Sequence, residues 1–165
     1  MRRRAAEAGD RSVAWRDGVY LLAEDVRSLF NIGSFFRTLD GLGGAHLFLT
    51  GISGTPPQGQ IVRTALGAHA SVPWSYAVSA LPVITAARAH GCRVVALEST
   101  TRAVPLRQAC RPPRALLVMG NEVEGVSPEV LDACDDHVHI PMRGVKSSLN
   151  VAVAAGLALW HYTGD

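Results

Sequence analysis

At 165 residues, with 48% hydrophobic and 18% charged residues, the chain has the size of one domain with a full core and is too short for two of ordinary size. No apolar run approaches the roughly 18 residues a membrane span needs, and Met1-Arg2-Arg3-Arg4-Ala5-Ala6-Glu7 carries charge with no apolar segment behind it, so no secretory signal or membrane association is read and the cytoplasm is the expected location. A net charge of +2 does not by itself declare a nucleic-acid partner, and Cys92, Cys110 and Cys134 lack paired spacing, which excludes a disulfide framework or zinc site and leaves free thiols.

Residues 1–17 are polar and rich in Arg and Ala, and read as a basic flexible or weakly helical arm, with the ordered domain expected over 18–165. Val19-Tyr20-Leu21-Leu22 reads as a first buried strand, Asn31 to Leu39 as a helix stopped by Gly41-Leu42-Gly43-Gly44, and His46-Leu47-Phe48-Leu49 as a second strand. Gly51 to Gln60 is a loop by composition, followed by a short helix around Ile61 to Leu66. A third strand is expected within Val72 to Val78, a helix from Leu81 to His90 closed by Gly91, a fourth strand from Arg93 to Leu97 and a fifth from Ala115 to Met119. A helix from Pro128 to Cys134, a sixth strand from His137 to Ile140 and a last helix from Ser148 to His161 complete the series. This alternation predicts an α/β fold, a mostly parallel sheet with helices on both faces.

Several familiar chemistries are missing. Lys146, the only lysine, has no preceding glycine, so there is no phosphate-cradling Gly-Lys-Ser/Thr loop. Gly41, Gly43 and Gly44 follow a helix rather than a strand, which rejects the dinucleotide fingerprint, and Gly51-Ile52-Ser53-Gly54 has the wrong spacing for a hydrolase elbow. His137 and His139 share one strand face but lack a third ligand, so no metal is expected. The remaining 15 basic residues are all arginine, which fits phosphate recognition or genomic base bias; both readings stay open.

Two corners carry more information. Gly120-Asn121-Glu122-Val123-Glu124-Gly125 puts two carboxylates between glycines directly after a buried strand, where ligands of open α/β sheets bind. Pro141 to Asn150 repeats the pattern, with Gly144 in the turn and Ser147-Ser148-Leu149-Asn150 opening a helix. At the front, Asn31 and Arg37 lie six residues apart on one helix.

Together Asn31-Ile32-Gly33-Ser34-Phe35-Phe36-Arg37-Thr38, Leu117 through Val126, and Ile140-Pro141-Met142 through Ser148-Leu149-Asn150-Val151-Ala152 resemble, in order, the motifs of the TrmH/SpoU-type RNA 2′-O-ribose methyltransferases of the SPOUT class. The resemblance implies a C-terminal trefoil knot, a homodimer, an RNA substrate and S-adenosyl-L-methionine as cofactor. It places the cofactor against Leu97, Glu98, Ser99, Gly120, Glu122, Ile140, Met142, Ser148 and Leu149, and the reaction on Arg37 with Asn31, Glu122, Ser148 and Asn150. RNA contacts are expected from Arg37, Arg63 and Arg11, with Arg2, Arg3 and Arg4 as further candidates. Phe35, Phe36 and His69 depart from the usual family residues. Lacking the added domains that some relatives use to select RNA, the chain is expected to act on tRNA, with rRNA as the alternative. A non-catalytic RNA-binding or assembly factor on the same fold is the competing reading.

Overall fold

The computed structural model describes residues 6–7 and 13–164. Its centre is made of β2 (Gly18–Glu24) and β7 (Arg114–Met119), each almost wholly buried, which is why both read as unbroken apolar runs rather than alternating ones. Outward on one side lie β3 (His46–Thr50), β4 (Trp74–Ala77) and the short β1 (Ala6–Glu7); on the other lie β5 (Arg93–Leu97), β8 (Asp136–His139) and β6 (Val104–Pro105). Every ladder among these eight strands is parallel.

Alternate residues of each strand feed two cores. Leu21, Leu47, Val95 and Leu117 pack under α1 (Leu29–Leu42), α2 (Gly59–Ala65), α3 (Ala68–Ser71) and α6 (Val151–Thr163). Tyr20, Leu22, Phe48, Val94 and Leu116 pack under α4 (Ala80–Ala89) and α5 (Pro128–Ala133). The mostly parallel, doubly covered sheet is as the alternation implied. Among the described residues no helix is long and apolar enough to cross a membrane.

Three details were not legible. Trp15, inside the segment read as an arm, stacks on Phe48 and His90 with ring centroids 5.6 and 5.3 Å apart, and Val13 packs on the same core. Tyr20 ties this stretch down: its hydroxyl accepts from the Arg16 N–H and donates to the Arg16 carbonyl, both at 2.8 Å. The last helix begins at Val151 instead of Ser148, because the Asn150 side chain accepts from the N–H groups of Ala152 and Val153 and so fixes the start. Finally, β8 is inserted between β5 and β6, with Leu97 and Val104 both in register with Val138. Residues 98–103, which join those two strands, therefore have to bridge β8.

His46 is buried beside Phe48, its Nε2 2.9 Å from the Ser75 hydroxyl, and burial pushes its pKa down to about 4 from 6.5. The folded protein thus resists the proton that the unfolded chain takes up. The resulting stability is complete above pH 6.5 and declines as pH falls towards 4, by about 3 kcal/mol at most. Urea midpoints at pH 7.5 and 4.5 should accordingly diverge less in His46→Gln than in the parent; identical slopes would disprove the assignment.

Candidate active site

The carboxyl ends of β2, β5, β7 and β8 open on the same rim, as the parallel ladders require. The corner after β7 is closed on itself: Asn121 and Gly125 exchange main-chain hydrogen bonds of 3.1 and 2.9 Å, and the Asn121 carboxamide oxygen accepts from the N–H groups of Val123 and Glu124. Its amide nitrogen donates to the Asp25 carbonyl at 2.8 Å, tying the corner to the end of β2. Gly125 has φ 72°, and a Cβ on Gly120 would lie 2.1 Å from the Gly125 carbonyl carbon, so each glycine answers a separate steric demand.

Glu122 projects from this corner onto the start of α1. Its carboxylate accepts from the N–H groups of Arg27 and Ser28 and from the Asn31 amide, at 3.1, 3.0 and 3.1 Å. Partial burial works against the charge, but the N–H groups of Ser28, of Glu122 itself and of Arg27, with the Asn31 amide, hold its pKa below the usual carboxylate value. Asn31 is buried, and its oxygen accepts from the Asn150 amide at 3.2 Å. Glu122, Asn31 and Asn150, from three distant motifs, thus form one hydrogen-bonded line. The line also fixes each amide: nitrogen towards Glu122 leaves the Asn31 oxygen for Asn150, whose own oxygen caps α6.

Beside it lies a cavity of about 460 Å³. All nine residues expected to hold the cofactor line it: Leu97, Glu98 and Ser99 from the β5 corner, Gly120 and Glu122 from the β7 corner, and Ile140, Met142, Ser148 and Leu149 after β8. Asn150 lines it too, whereas Asn31 joins only through its hydrogen bonds. Asn121, His139 and Ser147 share the wall and were missed, although an asparagine four residues before a glycine, just past a strand, is a turn signal that could have revealed the first.

Arg37 lies elsewhere: it is exposed on α1, outside the cavity lining, about 9 Å along the helix from Asn31 and on another face. Arg63 is exposed on α2 with a guanidinium nitrogen 3.1 Å from the Gln60 side-chain oxygen, likewise away from the cavity. Arg11, Arg2, Arg3 and Arg4 lie outside the described residues. His137 is engaged by the Thr100 hydroxyl at 2.8 Å and the Leu131 carbonyl at 2.9 Å, and among the described residues no group of three or more His, Cys, Asp or Glu is placed for a metal ion. The thiols of Cys92 and Cys134 are pushed up by burial to about 11 and 12 and stand as free, inert core groups.

Known proteins share this fold. An AdoMet-bound rRNA methyltransferase from Sinorhizobium meliloti superimposes with a TM-score of 0.88 at 28% identity, over 96% of this chain and 60% of that one. The SpoU methyltransferase AviRb from Streptomyces viridochromogenes, in complex with AdoMet, gives 0.81 at 30% identity, over 90% of this chain and 60% of that one. A tRNA (guanosine(18)-2′-O)-methyltransferase of Aquifex aeolicus is 29% identical over 85% of this chain and 66% of its own length. A 23S rRNA (guanosine(2553)-2′-O)-methyltransferase of Bacillus subtilis is 29% identical over 87% and 57%. The chain therefore spans less than two thirds of the length of these relatives. With a family profile matching residues 18–160, the chain belongs to the SpoU rRNA Methylase family.

Proposed function

We propose that the chain is an S-adenosylmethionine-dependent RNA 2′-O-ribose methyltransferase domain. The observation that carries this reading is the convergence of three sequence-distant corners on one cavity beside the Glu122–Asn31–Asn150 line. The lining fits the cofactor: the volume suits a nucleoside-sized ligand, Leu97, Ile140 and Leu149 offer apolar sides to an adenine, and Ser99, Ser148 and the Gly120 main chain offer polar contacts. Leu149 is 38% exposed, an apolar side chain on a wall that a ligand would cover. When bound, the cofactor supplies an electrophilic sulfonium methyl group.

The chain's own task is to hold a ribose 2′-oxygen in line with that methyl, and alignment alone can supply much of the acceleration. Arg37, with the planar fork of a guanidinium, holds the phosphate adjoining the 2′-hydroxyl. Glu122 is a weak base with its oxygens already engaged, so its part is to fix Asn31, with Asn150 locking the other side. Ser148 adds a hydroxyl to the same wall. Arg63 and Arg11 serve as further RNA backbone contacts.

Three further points belong to this reading. Val153, Leu157 and Trp160 are exposed at helical spacing on α6, and Phe30 is exposed on the same side of α1 as Arg37. A homodimer covering this apolar surface puts Arg37 at the subunit boundary, where it can reach a ribose bound against the partner. A trefoil knot is supported by residues 98–103 bridging β8, since the chain leaving β8 then passes a closed loop. The methyltransferase domain is taken as residues 18–165, with Val13 and Trp15 packed on its core and the arginines ahead of them as a basic arm; tRNA is the preferred substrate, rRNA the alternative, and the cytoplasm the place of work.

Calorimetry with S-adenosylhomocysteine tests the cofactor site directly, and no binding at millimolar ligand would remove the enzyme reading. Mass spectrometry of ribose-methylated nucleosides in RNA from cells with and without the gene should then reveal one missing 2′-O-methyl nucleoside. Cofactor binding with no change in any RNA would favour the assembly-factor reading.

A further inference from the structure

We infer that Glu98 is a positioning residue whose carboxylate clamps two walls of the cofactor cavity together and acts through their main chain rather than by touching the ligand; the inference rests on the methyltransferase reading above. Glu98 follows β5, where its own N–H donates to the Val138 carbonyl at 2.9 Å and anchors the residue to β8. From there the side chain divides its oxygens. Oε1 accepts from the Ser99 N–H, in its own corner, and Oε2 accepts from the Val126 N–H, across the cavity rim in the β7 corner, both at 3.0 Å.

The opposite corner is shaped to receive that carboxylate. A Cβ on Gly125 would lie 2.2 Å from Glu98 Oε2, so the glycine leaves the space the oxygen occupies. Ser99 and Gly125, which border the two clamped N–H groups, both line the cavity. One charged group with two main-chain donors therefore sets the separation between Leu97-Glu98-Ser99 and Gly120 to Val126. Hydrogen bonds to an ionised acceptor are about twice as strong as neutral ones. With each oxygen turned onto a main-chain donor, the clamp acts on affinity through the two corners it joins.

The test is a double-mutant cycle read by S-adenosylhomocysteine calorimetry and by steady-state kinetics on the RNA substrate. Glu98→Ala is expected to raise the Kd about tenfold while kcat at saturating cofactor stays within about threefold. Glu98→Gln, which keeps one acceptor oxygen in the same space, should recover part of that loss. Gly125→Ala alone should weaken binding by a comparable factor, through displacement of the carboxylate and through its left-handed backbone. In combination with Glu98→Ala the displacement has nothing to displace and only the backbone part of the Gly125 loss remains, so the double variant should bind about threefold or more tighter than the product of the two losses.

Multiplicative losses, or a fall in kcat at saturation as large as the rise in Kd, would overturn the clamp. Should Glu98→Ala fail to fold, Glu98→Gln decides: weakened binding at an unchanged melting temperature supports the clamp, and unchanged binding refutes it. A parent protein that does not bind S-adenosylhomocysteine would instead refute the methyltransferase reading itself.

Discussion

Gly120→Ala is expected to abolish cofactor binding, with S-adenosylhomocysteine affinity falling at least about 100-fold and folding stability by about 2–3 kcal/mol. The new Cβ would stand 2.1 Å from the Gly125 carbonyl carbon, 2.2 Å from the Val126 nitrogen and 2.4 Å from the Gly125 oxygen. All three are main-chain atoms of a corner held shut by the Asn121–Gly125 pair, so no side chain can swing away to make room. The corner must open, and its opening also breaks the bond from Val126 to Glu98. A matched control is Gly41→Ala on α1, where the added Cβ meets nothing within 4 Å; there the helix should gain roughly 0.5–1 kcal/mol and binding should not change. Calorimetry and urea unfolding of the two variants, side by side, check the contrast. Affinity within threefold of the parent in Gly120→Ala would mean that this corner is not a wall of the cofactor site.

Arg37→Ala has the opposite signature. Turnover should fall by about 10³ or more, as for loss of a charge that steadies the reacting group, while the S-adenosylhomocysteine Kd stays within about threefold because Arg37 does not line the cavity. Arg37→Lys should rescue poorly, since a point charge cannot reproduce a planar fork on phosphate. Single-turnover methylation of the RNA, paired with calorimetry, separates the two effects. Equal losses of binding and turnover would remove Arg37 from the role given to it.

The two chemistries were not equally legible in the sequence. The strands were readable because β2, β3, β5 and β7 are buried on both faces and therefore carry short, largely unbroken apolar runs such as Val94-Val95-Ala96 and Leu116-Leu117-Val118-Met119. Short pieces such as Val104–Pro105 carry no such run, and their pairing is decided by a partner more than thirty residues away. Trp15 was lost among arginines and alanines because its burial depends on Phe48 and His90, neither of them local. At the site, glycines and polar residues at strand ends pointed to the corners. Their hydrogen bonds could not be read: the Glu122 carboxylate takes the N–H groups of Arg27 and Ser28 just ahead of α1 and the Asn31 amide, and Glu98 takes two main-chain N–H groups. Arg37 was chosen through family likeness, and a single chain leaves it on the outer side of α1.

The slot between β5 and β6 has a consequence for how the molecule matures. It is closed by β8, which leaves the ribosome after both of its neighbours, and the segment directly behind β8 furnishes the third wall of the cavity. Docking of the C-terminal stretch is thus the event that creates both a finished sheet and a competent ligand site. Any molecule gripping that cavity spans early and late portions of the polypeptide and acts as a fastener between them, so resistance to unfolding should climb with its concentration.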